Sequence, residues 1–594
     1  MAEEPNGKKR KEETFEGAGV SPGIATGPAF VVSAEHEAVA EWSVSEEQIA
    51  GEVVRFEEAI IATRRQIKEI QQGLRNAIGQ ADASIFDAHL MVLDDRSFIE
   101  DVLAGLKTER RNVETIVRAV ARKYADALSG MDDEYLRERA ADVKDVAHRV
   151  LRNLHGEQTE LHEGMQSKCV VVAHELVPSQ IAGLRRETVA GIATDLGSRT
   201  CHAAIMARSL EIPAVMGLRN ASSAVGPGNQ VIVDGDKGLL IVAPSKQRRR
   251  EYGALARTRE HIQSELVGLR DEAAETKDGH GIVLSANIEL PADVDGAIAR
   301  GAAGVGLFRS EYLYLTSTTL PSEEEQFIAY SDVVKRVAPD YVIIRTLDLG
   351  GDKIASNLSI PRERNPFMGW RAIRFCLSHP DVFKTQLRAI LRASAFGAAK
   401  IMYPMICSMS EVTEANELLH QAKSELAAEG VAFDDEIDVG VMIETPSAAL
   451  TSDAIAPLVD FFSLGTNDLI QYTLAVDRAN ELVATLYKPT HPAILQLIKM
   501  TIDAGHQHNI WVGVCGEMAA DPLLAPLLVG LGVDELSVTP PAVPVVKDVV
   551  RSMIYPEAQR LAQAALQTSS PEHIVGMCKE LIGRTAPEIL ELVR

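Results

Sequence analysis

Hydrophobic positions along this chain change their spacing several times, and each change predicts a border. Ile49, Val53, Phe56, Ile60, Ile67 and Ile70 recur at the interval of one helix face, and Ile85, Phe86, His89, Leu90 and Leu93 continue it. Val146, Val150, Leu151 and Leu154 do the same. Ser43 or Ser45 can cap the first helix, with Glu46 and Glu47 in its first turn where the helix dipole favours anions. No proline interrupts residues 45–157, so the segment predicts a helical bundle.

Runs of a different kind lie on either side. Gly19–Ala25 and Ala29–Val32 precede the bundle; Cys169–Ala173 and Val231–Asp234 follow it, and all read as strands. The early pair has no partner nearby, so residues 15–44 and 158–244 are expected to form one α/β domain with 45–157 inserted. Residues 1–14 are polar and are expected to be a disordered extension. Residues 245–276, highly charged and free of proline, predict a helical linker.

From 277 to 594 the pattern becomes regular. Strand-like runs follow in order at Ile282–Ile288, Gly304–Phe308, Tyr341–Arg345, Lys400–Met405, Asp438–Ile443, Asp460–Leu464, Trp511–Cys515 and Glu535–Val538. Helical stretches such as Glu323–Val337, Gly369–Phe396 and Met409–Ala428 separate most of them. This alternation predicts a (β/α)₈ barrel, and a doubly wound open sheet would give the same pattern.

Composition narrows the class. At 594 residues the chain exceeds one core, and its longest apolar run, Leu523–Val533, is too short to cross a bilayer. The basic patch Lys8–Lys11 is followed by Glu12 and Glu13 instead of an apolar segment, so no secretory signal is read and a cytoplasmic protein is expected. Six scattered cysteines without a C-x-x-C pair argue against disulfides or structural zinc. A formal charge of −24 disfavours nucleic acid and anionic membrane, and suits either a basic protein partner or plain solubility.

Function in a barrel lives at the carboxyl ends of its strands. Those positions hold Asn287, Arg309 with Glu311, Arg345 with Asp348, Glu444, Asn467 with Asp468, and Cys515 with Glu517. Arginines gather there: Arg309, Arg345 and Arg478, with Arg371 and Arg388 as further candidates. Guanidinium forks suit phosphate and carboxylate. Glu444 and Asp468 match a Mg²⁺ ion that completes its shell with substrate oxygens, or else ion-pair with the arginines. Cys515 reads either as a thiol that exchanges a proton or as a small buried hydrophobe.

A second focus runs from Asp195 through Gly197, Ser198 and Cys201 to His202, then Ala203 to Arg208. His202 opens an Ala-rich helix, where the dipole keeps imidazole neutral and free N–H groups accept an anion. An ordinary exposed histidine remains the alternative.

Together these segments resemble enzyme I of the bacterial phosphoenolpyruvate-dependent sugar phosphotransferase system. The likeness is carried by Gly197–His202 with Ile205–Leu210, by Asp132–Asp145, and by Gly304–Glu311, Arg345–Lys353, Asn365–Arg371, Gln386–Gly397, Gly440–Pro446, Ser463–Asn480 and Cys515–Glu517. It covers nearly all the chain after residue 15. The resemblance implies that His202 is the phosphorylated nucleophile and that Arg309, Arg345, Asn467 and Arg478 bind phosphoenolpyruvate. It implies Mg²⁺ on Glu444 and Asp468, and enolate protonation by Cys515. The helical insertion would bind the phosphocarrier HPr and the barrel would form a homodimer; apart from the resemblance, acidic Glu57, Glu58, Glu69, Asp82 and Asp87 on the insertion suit a basic partner face or are an ordinary acidic helix surface. Three positions depart from the pattern: Ser198 for Gly, Cys201 for Ser, and Ser310 for Thr. A dikinase or synthase of the same swivelling group would need a nucleotide-binding domain before the histidine. Only about 165 residues precede the second α/β segment, with no Gly-rich phosphate loop. A non-catalytic sensor would lack at least one of the reacting groups, and all are present.

Overall fold

The computed structural model describes residues 12–32, 41–77, 85–129, 134–156, 165, 168–177, 180–181, 184, 187–198, 201–210, 212–315, 319–350, 365–478, 480 and 482–593. It divides into two compact units, Met1–Glu260 and His261–Arg594.

The first unit is built on a mixed sheet. Its strands are β1 (Glu13–Glu16), β2 (Ala18–Ser21), β3 (Ile24–Val32), β4 (Cys169–Ala173), β5 (Val189–Thr194), β6 (Ala214–Met216), β7 (Gln230–Asp234) and β8 (Leu239–Val242), in the order β1-β8-β7-β3-β4-β5-β6-β2. β3 runs parallel to β4 and antiparallel to β7, and β2 pairs with β6. Segments before and after the helices therefore share one sheet. The intervening helices Ile49–Ala77, Ile85–Asp94, Arg96–Glu109, Val113–Ser129 and Glu134–Leu154 pack Phe56, Ile67, Phe86, Leu93, Val146 and Val150 into one core. Asp95 caps the third of them, accepting from Ser97 N at 2.7 Å. β1 starts at Glu13, inside the stretch expected to be disordered, because the β8 edge offers Glu13 to Glu16 a ladder to join.

In the second unit the strands β9 (Val283–Ile288), β10 (Val305–Arg309), β11 (Val342–Arg345), β12 (Ala399–Tyr403), β13 (Val439–Ile443), β14 (Phe461–Leu464), β15 (Trp511–Val514) and β16 (Glu535–Val538) close into a parallel barrel. Pairing of β16 with β9, Glu535 opposite Val283, excludes the open sheet. β12 stops short of the expected Met405 because Pro404 follows Tyr403 and Met405 turns to φ 57°. The expected helix over Gly369–Phe396 is broken into Ile373–Ser378 and Pro380–Ser394, since Pro380 can begin a helix but not continue one.

The linker helix spans Lys246–Gly268, shorter than expected. Beyond it the chain is fastened to the barrel by Lys547, whose buried ammonium donates to the carbonyls of Leu269 (3.2 Å), Arg270 (2.9 Å) and Gly301 (2.9 Å). Among the described residues no helix is long and apolar enough to cross a membrane. Lys547→Met would take the ammonium donor from Arg270 O and Gly301 O, while Leu269 O keeps the N–H of Glu272, and chemical denaturation should show a loss of about 3 kcal/mol in barrel stability.

Candidate active site

The barrel strands end in charge. Arg309 closes β10 and reaches Glu289, Nη1 to Oε1 at 2.6 Å. Arg345 closes β11 and is clamped between Glu311 (2.7 Å) and Asp348 (3.0 Å). Arg371 bonds Asp348 through Nε (3.1 Å) and Nη2 (2.6 Å), and its Nη1 stands 3.6 Å from Asp468. Among the described residues, the buried Nε atoms of Arg309 and Arg345 have no hydrogen-bond partner. Buried donors of this kind are costly unless a ligand meets them.

Glu444 follows β13 and is buried; its Oε1 accepts from Met405 N at 2.6 Å, so the left-handed turn at Met405 aims an N–H at this carboxylate. Burial pushes the Glu444 carboxyl well above the usual range, with the charges of Asp468 and Asp348 adding to the effect. Burial raises Asp468 too, against the pull of Arg371. Burial also opposes the charge on Asp348, but Arg345 and Arg371 overcome it and hold that carboxyl below its ordinary value.

Helix Thr466–Leu474 begins at the end of β14 and carries Asn467 and Asp468 in its first turn. Asn467 Oδ1 accepts from Glu517 N (2.9 Å), while its Nδ2 donates to Glu517 Oε1 (3.2 Å). Arg478 Nη1 donates to the same oxygen at 3.0 Å. The Cys515 thiol lies under the site and donates to Leu464 O at 3.7 Å. Burial pushes that thiol up to about 11, so it carries its proton at neutral pH.

Two expectations change. Arg388 lies among the outer helices, bonded to Glu323 (2.7 Å) and Glu429 (2.7 Å), and is not part of the site. Asn287 points into the barrel, where its Nδ2 bridges the carbonyls of Cys515 (3.0 Å) and Ser537 (3.1 Å). Sequence reasoning missed Glu289 and Tyr472, whose hydroxyl meets Arg371 Nη1 at 3.4 Å. Their only signal is position: Glu289 just after β9, and Tyr472 one helical turn beyond Asp468.

In the other unit, His202 is the first residue of helix His202–Ser209, with Cys201 as N-cap and Gly197 at φ 111°. The thiol of Cys201 contacts Ser198 O (3.2 Å) and Met216 Sδ (3.7 Å). The His202 side chain, Arg199, Thr200, Lys353, Asp132 and Asp82 lie outside the described residues, as does the side chain of Asp87.

A ring of guanidinium groups and carboxylates at the mouth of a parallel barrel is suited to a small phosphorylated acid. Known families agree with that class. Residues 16–139 match "PEP-utilising enzyme, N-terminal", 165–238 match "PEP-utilising enzyme, mobile domain", and 263–555 match "PEP-utilising enzyme, PEP-binding domain". Among curated relatives, proteins named phosphoenolpyruvate-protein phosphotransferase from Bacillus sp. (strain S) and Geobacillus stearothermophilus are each 43% identical over 573 residues, 96% of this chain and 99% of theirs. One of the same name from Haemophilus influenzae is 42% identical over 562 residues, 95% of this chain and 98% of its own. This chain belongs to the phosphoenolpyruvate-protein phosphotransferase family.

The raised thiol has a measurable signature. Alkylation of Cys515 by iodoacetamide, followed by peptide mass spectrometry, should accelerate about tenfold per pH unit from pH 7 to 10 and level off near 11, because only the thiolate reacts. Half-buried Cys201 should react before it at neutral pH.

Proposed function

We propose that the chain transfers the phosphoryl group of phosphoenolpyruvate to His202, releasing pyruvate, and then passes it to a histidine of the phosphocarrier HPr, the first step of sugar phosphotransfer. The observation that carries this reading is the strand-end ring, where two buried guanidinium Nε donors have no acceptor among the described residues. Arg309, Arg345, Asn467 and Arg478 hold the phosphate of the substrate. Their partners Glu289, Glu311, Asp348 and Glu517 keep the cations extended before substrate arrives. Phosphoryl transfer passes through a loose transition state that needs alignment and charge stabilisation more than covalent help.

The donor set fits Mg²⁺. Glu444 and Asp468 are a buried or nearly buried pair of carboxylates at neighbouring strand ends, both pushed toward protonation by burial, and a divalent cation relieves that. Among the described residues no group of three or more metal-ligating side chains occurs, so an ion held here would take the rest of its shell from substrate oxygens and water. When bound, Mg²⁺ would neutralise charge on the phosphoryl and enolate oxygens. In this reading Cys515, buried among the charges of Arg345, Glu444 and Arg309 and carrying its proton, supplies that proton to C3 of the enolate.

The division of labour follows. Residues 15–44 and 158–244 carry the histidine, 45–157 receive HPr, 245–276 link, and 277–594 bind phosphoenolpyruvate and form the homodimer in the cytoplasm. Exposed Glu57, Glu58 and Glu69 on helix Ile49–Ala77 favour a basic partner face.

Intact-protein mass after phosphoenolpyruvate and Mg²⁺ should show one acid-labile phosphoryl group, absent from His202→Ala. Glu444→Gln should slow its appearance at least about 100-fold. An adduct that persists in His202→Ala would assign the nucleophile elsewhere.

A further inference from the structure

Cys515 sits one residue past the end of its strand. The ladder between β15 and β16 closes at Val514 opposite Leu536, so the carbonyl of Cys515 lies beyond the last backbone pair. On the other side its N–H still reaches β14, donating to Leu464 O at 3.1 Å, and the thiol turns toward the same oxygen. The side chain belongs to an apolar cluster with Leu307, Met442 and Phe461, and dispersion contacts fix no direction. The next residue, Gly516, has no room for a side chain of its own, since Thr466 Oγ1 occupies the space a Cβ would need.

What holds that carbonyl is a side chain from two strands away. Asn287, near the end of β9, donates through Nδ2 to Cys515 O at 3.0 Å and to Ser537 O at 3.1 Å. Ser537 Oγ donates back to its Oδ1 at 2.6 Å. Carbonyl oxygens only accept, so the amide has one permitted orientation, with both N–H groups and the oxygen engaged. Asn287 therefore ties the ends of β15 and β16 together where their ladder has stopped, at the residue whose thiol lies under the site.

We propose that Asn287 is a positioning residue for the proton transfer: through the Cys515 carbonyl it keeps the thiol on one face of C3, so that the enolate is protonated before it leaves. This rests on reading Cys515 as the donor to the enolate. As His202 takes phosphorus and the P–O bond breaks, the electron pair of the enolate forms a C–H bond at C3 with the thiol proton. The thiolate that remains regains a proton from water. Asn287 touches none of these atoms. Its effect is geometric, and misplacing a reacting group by about 1 Å costs on the order of 100-fold in rate. Without that anchor the enolate escapes unprotonated and takes its proton from water on either face. Ser537 acts one step further out, by holding the Asn287 amide in place.

Phosphoenolpyruvate carrying tritium at one of its two C3 positions, turned over in D₂O with Mg²⁺ and excess HPr, separates the two routes. A fixed donor gives pyruvate methyl groups of one handedness, and free water gives both. The unaltered chain should give one handedness. Asn287→Ala should give a largely racemic product, with kcat lower by about tenfold or more and KM for phosphoenolpyruvate unchanged. Ser537→Ala, which removes only the hydrogen bond to Oδ1, should shift handedness in the same direction by less, and serves if Asn287→Ala does not fold. Full handedness in the folded variants would confine Asn287 to the scaffold and overturn the proposal, as would a KM raised in proportion to the loss of kcat. Racemic pyruvate from an unaltered chain that phosphorylates His202 would refute Cys515 as the donor, and this inference with it. An unaltered chain that forms neither phosphohistidine nor pyruvate would refute the transferase reading itself.

Discussion

Glu311, Asp348, Glu444 and Asp468 share the mouth of the barrel with Arg345 and Arg371, and the balance between these charges governs the rest of the site. Neither sign could stay there alone, since an unpaired buried charge costs several kcal/mol (about 3–5 when one partner of a buried pair is removed). Asp348 is held ionised by two guanidinium groups, whereas Glu444 and Asp468 are pushed toward protonation. The ring therefore has spare acceptors at one side and spare donors, Arg309 Nε and Arg345 Nε, at the other. A divalent cation with a phosphorylated acid supplies what both sides lack.

Backbone geometry near the ring serves the same arrangement. Met405 and Ala372 both have positive φ, 57° and 54°, which non-glycine residues adopt at a cost of about 1–3 kcal/mol. Met405 turns its N–H onto Glu444, and Ala372 follows directly after Arg371. Ser310, a departure from the family pattern, accepts from Gln386 Nε2 (2.9 Å) and donates to Arg345 O (2.8 Å), so its hydroxyl braces the strand end without the methyl group of threonine.

Much of this was legible from spacing alone. Helical periodicity exposed the inserted bundle, and eight β/α alternations exposed the barrel, because buried parallel strands are short apolar runs of distinctive length. Strand ends then singled out Arg309, Arg345, Glu444, Asp468 and Cys515 before any contact was known. The spacing could not tell an inward arginine from an outward one on a helix: Arg388 has the same chemistry as Arg371, and only packing separates them. Strands β5, β6 and β8 were passed over, for β6 is three residues long and β5 contains a glycine. Glu535 opened a recognised strand, yet nothing in the pattern said that Gly513 leaves room for its carboxyl group.

The central claim is that the ring binds phosphoenolpyruvate only when a cation joins Glu444 and Asp468. Titration calorimetry of His202→Ala with phosphoenolpyruvate, in Mg²⁺ and in chelator, tests it most directly, because no phosphoryl transfer intervenes. The account predicts affinity at least about 100-fold weaker in chelator, and insensitivity to Mg²⁺ once Glu444 is replaced by Gln. Equal affinity with and without the ion would show that the arginines suffice and that the two carboxylates serve only to pair them.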